Sequence, residues 1–174
     1  EADEGLLESL RQRLASSGSV QAFVAPRGIG PTAWNPAEKK QTQIRRRFML
    51  LGQTRDGMRV WDARRAIQAL RSMESVSELP LVLRGQRQAA GIALYASLFE
   101  PDVKRLELES LPATHREGPV FLNVRRYLDI PEAVAMAAER SEVVLRQTEP
   151  AGWEYPKAVV KALDWGKGRI EARP

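Results

Sequence analysis

Residues 80–97 read PLVLRGQRQAAGIALYAS. After Pro80 a short apolar run, Leu81 to Leu83, has the length of a buried strand, and Gly85 interrupts it. The small residues Ala89, Ala90 and Gly91 then open an apolar helix that the pattern carries to about 98. A strand over 80–84 that turns at once into a helix is the first half of a β-α unit, so the rest of the chain is expected to alternate in the same way.

It does. Upstream, Leu6, Leu7, Leu10 and Leu14 make one stripe of a helix over 3–16, with Gly18 as its C-cap, and VQAFVAP at 20–26 reads as a strand ended by Pro26. Residues 27–40, with Gly28, Gly30, Pro31 and Pro36, form a loop; 41–51 make a short helix, and Asp56 opens a longer one to about 73 on Val60, Ala63, Ile67 and Leu70. Downstream come a strand over 103–110, a loop over 111–120, a helix beginning at Pro131, a strand over 142–147 and a helix over 155–165. Four strands separated by helices predict an α/β fold, a mostly parallel sheet with helices on both faces, because parallel strands need crossovers and helices supply them. A chain of 174 residues with 43% hydrophobic content is expected to form one domain over 1–174.

Composition removes several classes of function. The chain has no cysteine, hence no disulfide, thiolate metal site or cysteine nucleophile, and its single histidine is too few to suggest zinc. No metal and no cofactor is expected: RGIGPT at 27–32 lacks the lysine of a phosphate-binding loop, and GQRQAAG at 85–91 has Arg87 where the dinucleotide fingerprint needs glycine. No apolar run approaches the roughly 20 residues that span a bilayer. Net charge is +5, and the pairs and runs at Arg45–Arg47, Arg64–Arg65 and Arg125–Arg126 sit among helix formers, where solvated faces explain them better than nucleic acid does.

VAPRGIGPT at 24–32 resembles the strand-loop of α/β-hydrolases that carries D-x-R-G-x-G-x-S, with Arg27, Gly28, Gly30 and Thr32 matching. LVLRGQRQAAGIALYAS falls where that family's nucleophile strand and elbow belong, and residues 104–137 resemble the segment between its sixth and seventh strands. The whole chain looks like the carboxy-terminal portion of an acetylxylan-esterase-like or dipeptidyl-peptidase-like member. The resemblance implies a three-layer αβα fold that is part of a larger protein, a small ester or carbohydrate ligand, and a secreted or periplasmic location. It also implies a gap: the family strands matched by 20–26 and 80–84 are not neighbours. Either residues 20–25 close up beside 80–84, or a homodimer mate or another domain pairs across that edge.

The chemistry of an ester hydrolase is not assembled in these residues. The family elbow, G-x-S-x-G, exposes a serine on a strained turn, but here the central position is Arg87, which stays protonated and cannot attack an acyl carbon. Gly85 and Gly91 then serve close helix–strand packing, or Arg87 holds a carboxylate or phosphate at the sheet's ligand-binding end. His115, in LPATHREGP, is the one candidate base, but it precedes the last strand, where the family's base would follow it. As a loop residue without an identified partner it is expected to tolerate replacement. Ser97, Ser110 and Thr114 lie outside the elbow, Asp129 reads as a helix start, and Trp34, Trp61, Trp153 and Trp165 read as packing. The ligand-binding candidates are therefore Arg27, Gly28, Gly30, Arg87 and His115. The expected function is a catalytically degenerate hydrolase-like domain that packs against or regulates other domains or binds a ligand; the alternative is an active carboxylic-ester hydrolase with its nucleophile upstream of Glu1.

Overall fold

A computed structural model describes residues 19–147, 152–166 and 168–173. The helix read at 3–16 lies outside them. Five α-helices and four strands follow one another: α1 (Glu38–Leu50), α2 (Arg55–Arg71), β1 (Leu81–Gln86), α3 (Gln88–Phe99), β2 (Val103–Glu109), α4 (Ile130–Ala138), β3 (Glu142–Arg146), α5 (Glu154–Ala162) and β4 (Ile170–Arg173). The strands form one sheet in the order β1-β2-β3-β4, parallel throughout. The α/β alternation with a parallel sheet that the sequence predicts is therefore what the chain builds.

The first strand is a correction. Residues 20–26 carry no regular secondary structure and enter no sheet, so they do not pair with 80–84; the fourth strand is instead Ile170–Arg173. A strand exists only through its partner's backbone groups, and Val20–Ala25 has none among the described residues; its side chains are exposed, Phe23 at 70%. β4 is four residues long, too short for alternation to announce it, but β3 offers it a template.

The monotonic strand order explains where the helices go. Right-handed crossovers between consecutive parallel neighbours bring α3, α4 and α5 to the same face, where α3 packs on α4 and α4 on α5. That face is the core: Leu94, Leu106, Leu108, Ile130, Val134, Val143, Leu145 and Trp153 are each less than 2% exposed. On the other face the alternating residues are largely charged. Arg84, Glu107, Val144 and Glu171 stand in one row across the four strands, and Gln86, Glu109, Arg146 and Arg173 in the next. Glu107 forms ion pairs with Arg84 at 3.0 Å, Arg105 at 3.6 Å and Arg146 at 4.0 Å, so this face of the described sheet suits water or a polar cover rather than an apolar one.

Two glycines allow the β1–α3 corner to close. A Cβ on Gly85 would stand 2.5 Å from the Ala89 carbonyl oxygen, and one on Gly91 would stand 2.4 Å from Pro119 Cδ. Only glycine lets α3 turn back so tightly and lets the Pro119 loop sit on it.

Candidate functional site

The corner between β1 and α3 carries an unusual backbone. Arg87 has φ 52° and ψ −121°, in the positive-φ half of the map that side chains avoid. It is held there from both sides. Its N–H donates to the Glu109 carbonyl at 2.8 Å, extending the β1–β2 ladder, and its own carbonyl accepts from Ala90 N–H at 3.0 Å, starting α3. The Arg87 side chain projects into solvent and has no hydrogen-bond or ion-pair partner among the described residues. Such strain costs on the order of 1–3 kcal/mol. Replacing Arg87 with glycine is therefore expected to stabilise the fold by about 1 kcal/mol, after the entropy that glycine adds to the unfolded chain is subtracted. Chemical denaturation measures it, and a loss of stability would show that the arginine side chain contributes a contact of its own.

The next residue leads inward. Gln88 donates from Nε2 to Asp56 Oδ2 at 3.0 Å, and the same oxygen accepts from Val120 N–H at 2.9 Å. The other carboxylate oxygen faces Arg59 at 3.3 Å. Asp56 and Arg59 are 3% and 4% exposed, so this is a buried pair. Burial, and Arg55 nearby, pull the Arg59 guanidinium below its ordinary proton affinity, while Asp56 pulls it back up. Arg59 reaches on to the Arg27 carbonyl at 3.1 Å and the Gly28 carbonyl at 3.4 Å. One chain of contacts thus joins the 27–28 loop, the β1–α3 corner and the loop at 120, and Asp56 is its hub. From sequence, Asp56 is expected only to open a helix. In fact Thr54 is the N-cap, accepting from Gly57 N–H at 3.0 Å, and Asp56 sits one residue into the first turn.

Arg27 is anchored rather than free. Its Nε donates to Asp62 Oδ2 at 2.8 Å and its backbone N–H to the same oxygen at 3.0 Å, while the second arm of the guanidinium meets Oδ1 at 2.5 Å. This paired contact holds the Asp62 carboxyl below the usual carboxylate range. Gly28 and Gly30 lie in a turn closed by Thr32, whose hydroxyl donates to the Ile29 carbonyl at 2.9 Å. An open groove of about 600 Å³ runs past Val24, Arg27, Trp34, Asp62 and Arg65.

His115 is the larger surprise. It is 7% exposed, packed with its ring centroid 5.4 Å from that of Tyr95 and 5.5 Å from that of Phe121. Nδ1 lies 2.6 Å from the Pro119 carbonyl, which only accepts, so Nδ1 carries the proton. Nε2, 2.6 Å from the Tyr95 hydroxyl, then accepts a hydrogen bond from it. Burial above all, followed by the charges of Asp129 and Glu132, pushes the Tyr95 phenol up, which keeps it a donor. Both ring nitrogens are used inside the protein, and the residue expected to tolerate replacement is a buried structural element. Its backbone N–H donates to Asp129 Oδ1 at 2.6 Å, and Thr114 donates to Oδ2 at 2.7 Å. Asp129 is also the N-cap of α4, reciprocated by Glu132 in a capping box, as its place before Pro131 predicts. Burial alone would raise the Asp129 carboxyl; the hydrogen bonds from His115, Thr114 and Ile130 outweigh it and hold the group below its ordinary value.

No family model, curated protein or solved structure matches the chain. The site must be judged on its own geometry. The structure links Arg27 and Gly28 to the corner beside Arg87 through Arg59, Asp56 and Gln88, and brings His115 to the loop whose Val120 closes on the same Asp56. The turn itself, Gly85–Gly91, contains no serine, threonine or cysteine. Among the described residues no group of three His, Asp or Glu side chains is placed to hold a metal ion.

Proposed function

We propose that this chain is a non-catalytic α/β-hydrolase-like domain of an esterase-like protein, acting by packing, regulation or ligand binding. The observation that carries the reading is the Arg87 corner. A strand-to-helix turn with its central residue at φ 52°, and with space for glycine alone at 85 and 91, has the geometry that in an ester hydrolase presents a serine hydroxyl. Here that place presents a guanidinium, which is no nucleophile. The base is missing as well, since His115 is buried with both nitrogens bonded. What the corner presents instead is a solvent-facing cation, suited to a carboxylate or phosphate carried by a ligand or by a neighbouring domain.

Hydrolysis of short aryl esters and labelling with a fluorophosphonate test this reading. The chain is expected to show neither, and the Arg87→Ser variant is expected to stay unlabelled too, because a serine without a base is not activated. Stoichiometric labelling of any serine in the unaltered chain would overturn the proposal in favour of an active carboxylic-ester hydrolase.

A further inference from the structure

The sheet ends at β1 with its backbone open. Arg87 N–H faces β2, and in a parallel strand alternate residues turn both N–H and C=O to the same side. Gly85 and Leu83 therefore bond to β2, while Arg84 and Gln86 turn their backbone groups to an edge that no described strand covers. The same chain holds a second set of unpaired groups. Val20–Ala25 is an irregular, exposed arm that makes no backbone–backbone hydrogen bond among the described residues, and it exposes Val20 at 64%, Phe23 at 70% and Val24 at 49%. Its root is fixed, because Arg27 is clasped by Asp62 and its carbonyl by Arg59.

An open strand edge and an exposed apolar arm are each a liability that folded proteins cover. The two match in kind and length. Six residues of arm match a six-residue strand in length, donors and acceptors are unpaired on both, and the valines and phenylalanine of the arm favour a strand. The arm does not pair with β1 of its own chain. We infer that a second copy of this chain is the occupant: the Val20–Ala25 arm of each copy adds as a strand to the β1 edge of the other. The exchange is reciprocal and closes on a two-fold axis, so it stops at a dimer.

Sedimentation velocity across the micromolar range, with amide exchange on the same samples, tests the inference. The unaltered chain is expected to dimerise, with the Arg84 and Gln86 amides protected only in the dimer. Arg84→Pro removes an outward donor from β1 and puts a ring in the strand's path, a change that an edge strand accepts in the monomer. Val24→Pro does the same in an arm with no ladder bonds to lose. Both are expected to be monomeric at every concentration. If Arg84→Pro fails to fold, Val24→Pro decides alone. A monomeric unaltered chain, or a folded variant of either kind that dimerises as well as the parent, overturns the inference.

Discussion

Asp56→Ala is expected to be the most damaging single substitution at the candidate site, costing about 3–5 kcal/mol because it leaves a buried guanidinium without its counter-charge. Arg59 is 4% exposed and, without Asp56, keeps hydrogen bonds to the Arg27 and Gly28 carbonyls and the more distant charge of Asp62. The same change strips the acceptor from Gln88 Nε2 and from Val120 N–H, so the corner at Arg87 and the loop beyond Pro119 both loosen. For a domain of this size that corresponds to a fall in Tm on the order of 10 °C. The comparison is Asp62→Ala: the Arg27–Asp62 pair is bidentate, but Arg27 is 37% exposed, and its loss should cost about 1 kcal/mol or less. Equal losses for the two variants would refute Asp56 as the hub.

The second large effect is expected at His115. His115→Gln should cost about 2–3 kcal/mol, since the Pro119 carbonyl and the Tyr95 hydroxyl lose well-placed partners in a buried setting and the ring's contacts with Tyr95 and Phe121 disappear. A cycle with Tyr95→Phe separates these contributions. If the hydroxyl and the ring act as one unit, the double variant is less damaging than the sum of the singles. Urea denaturation reads the result; a change within about 0.5 kcal/mol, the range of ordinary surface substitutions, would mean that His115 is exposed in solution.

These two residues show why the site was harder to read than the fold. An aspartate in the first turn of a helix has a sufficient local explanation, because a negative charge there suits the helix dipole, and nothing nearby in sequence announces that its partners are Gln88 and Val120. His115 stands among Thr114, Arg116 and Glu117, all polar. Its burial follows from a loop that folds Pro119 back over the ring and from Tyr95, twenty residues upstream on α3.

Local signals were enough wherever an element's own periodicity or cap defines it. The apolar run after Pro80, the small residues at 89–91 and the Asp129-Ile-Pro start of α4 each describe a strand, a turn or a helix from neighbours in sequence, and the structure has all three. Parallel pairing followed too, because strands that alternate with helices leave the chain little choice. Pairing partners were another matter. VQAFVAP has the composition of a strand and is not in the sheet, while IEAR at 170–173 has almost no signal and is. A strand is completed by backbone groups from elsewhere in the chain, and which edge is free to supply them is known only once the tertiary structure has placed every other strand.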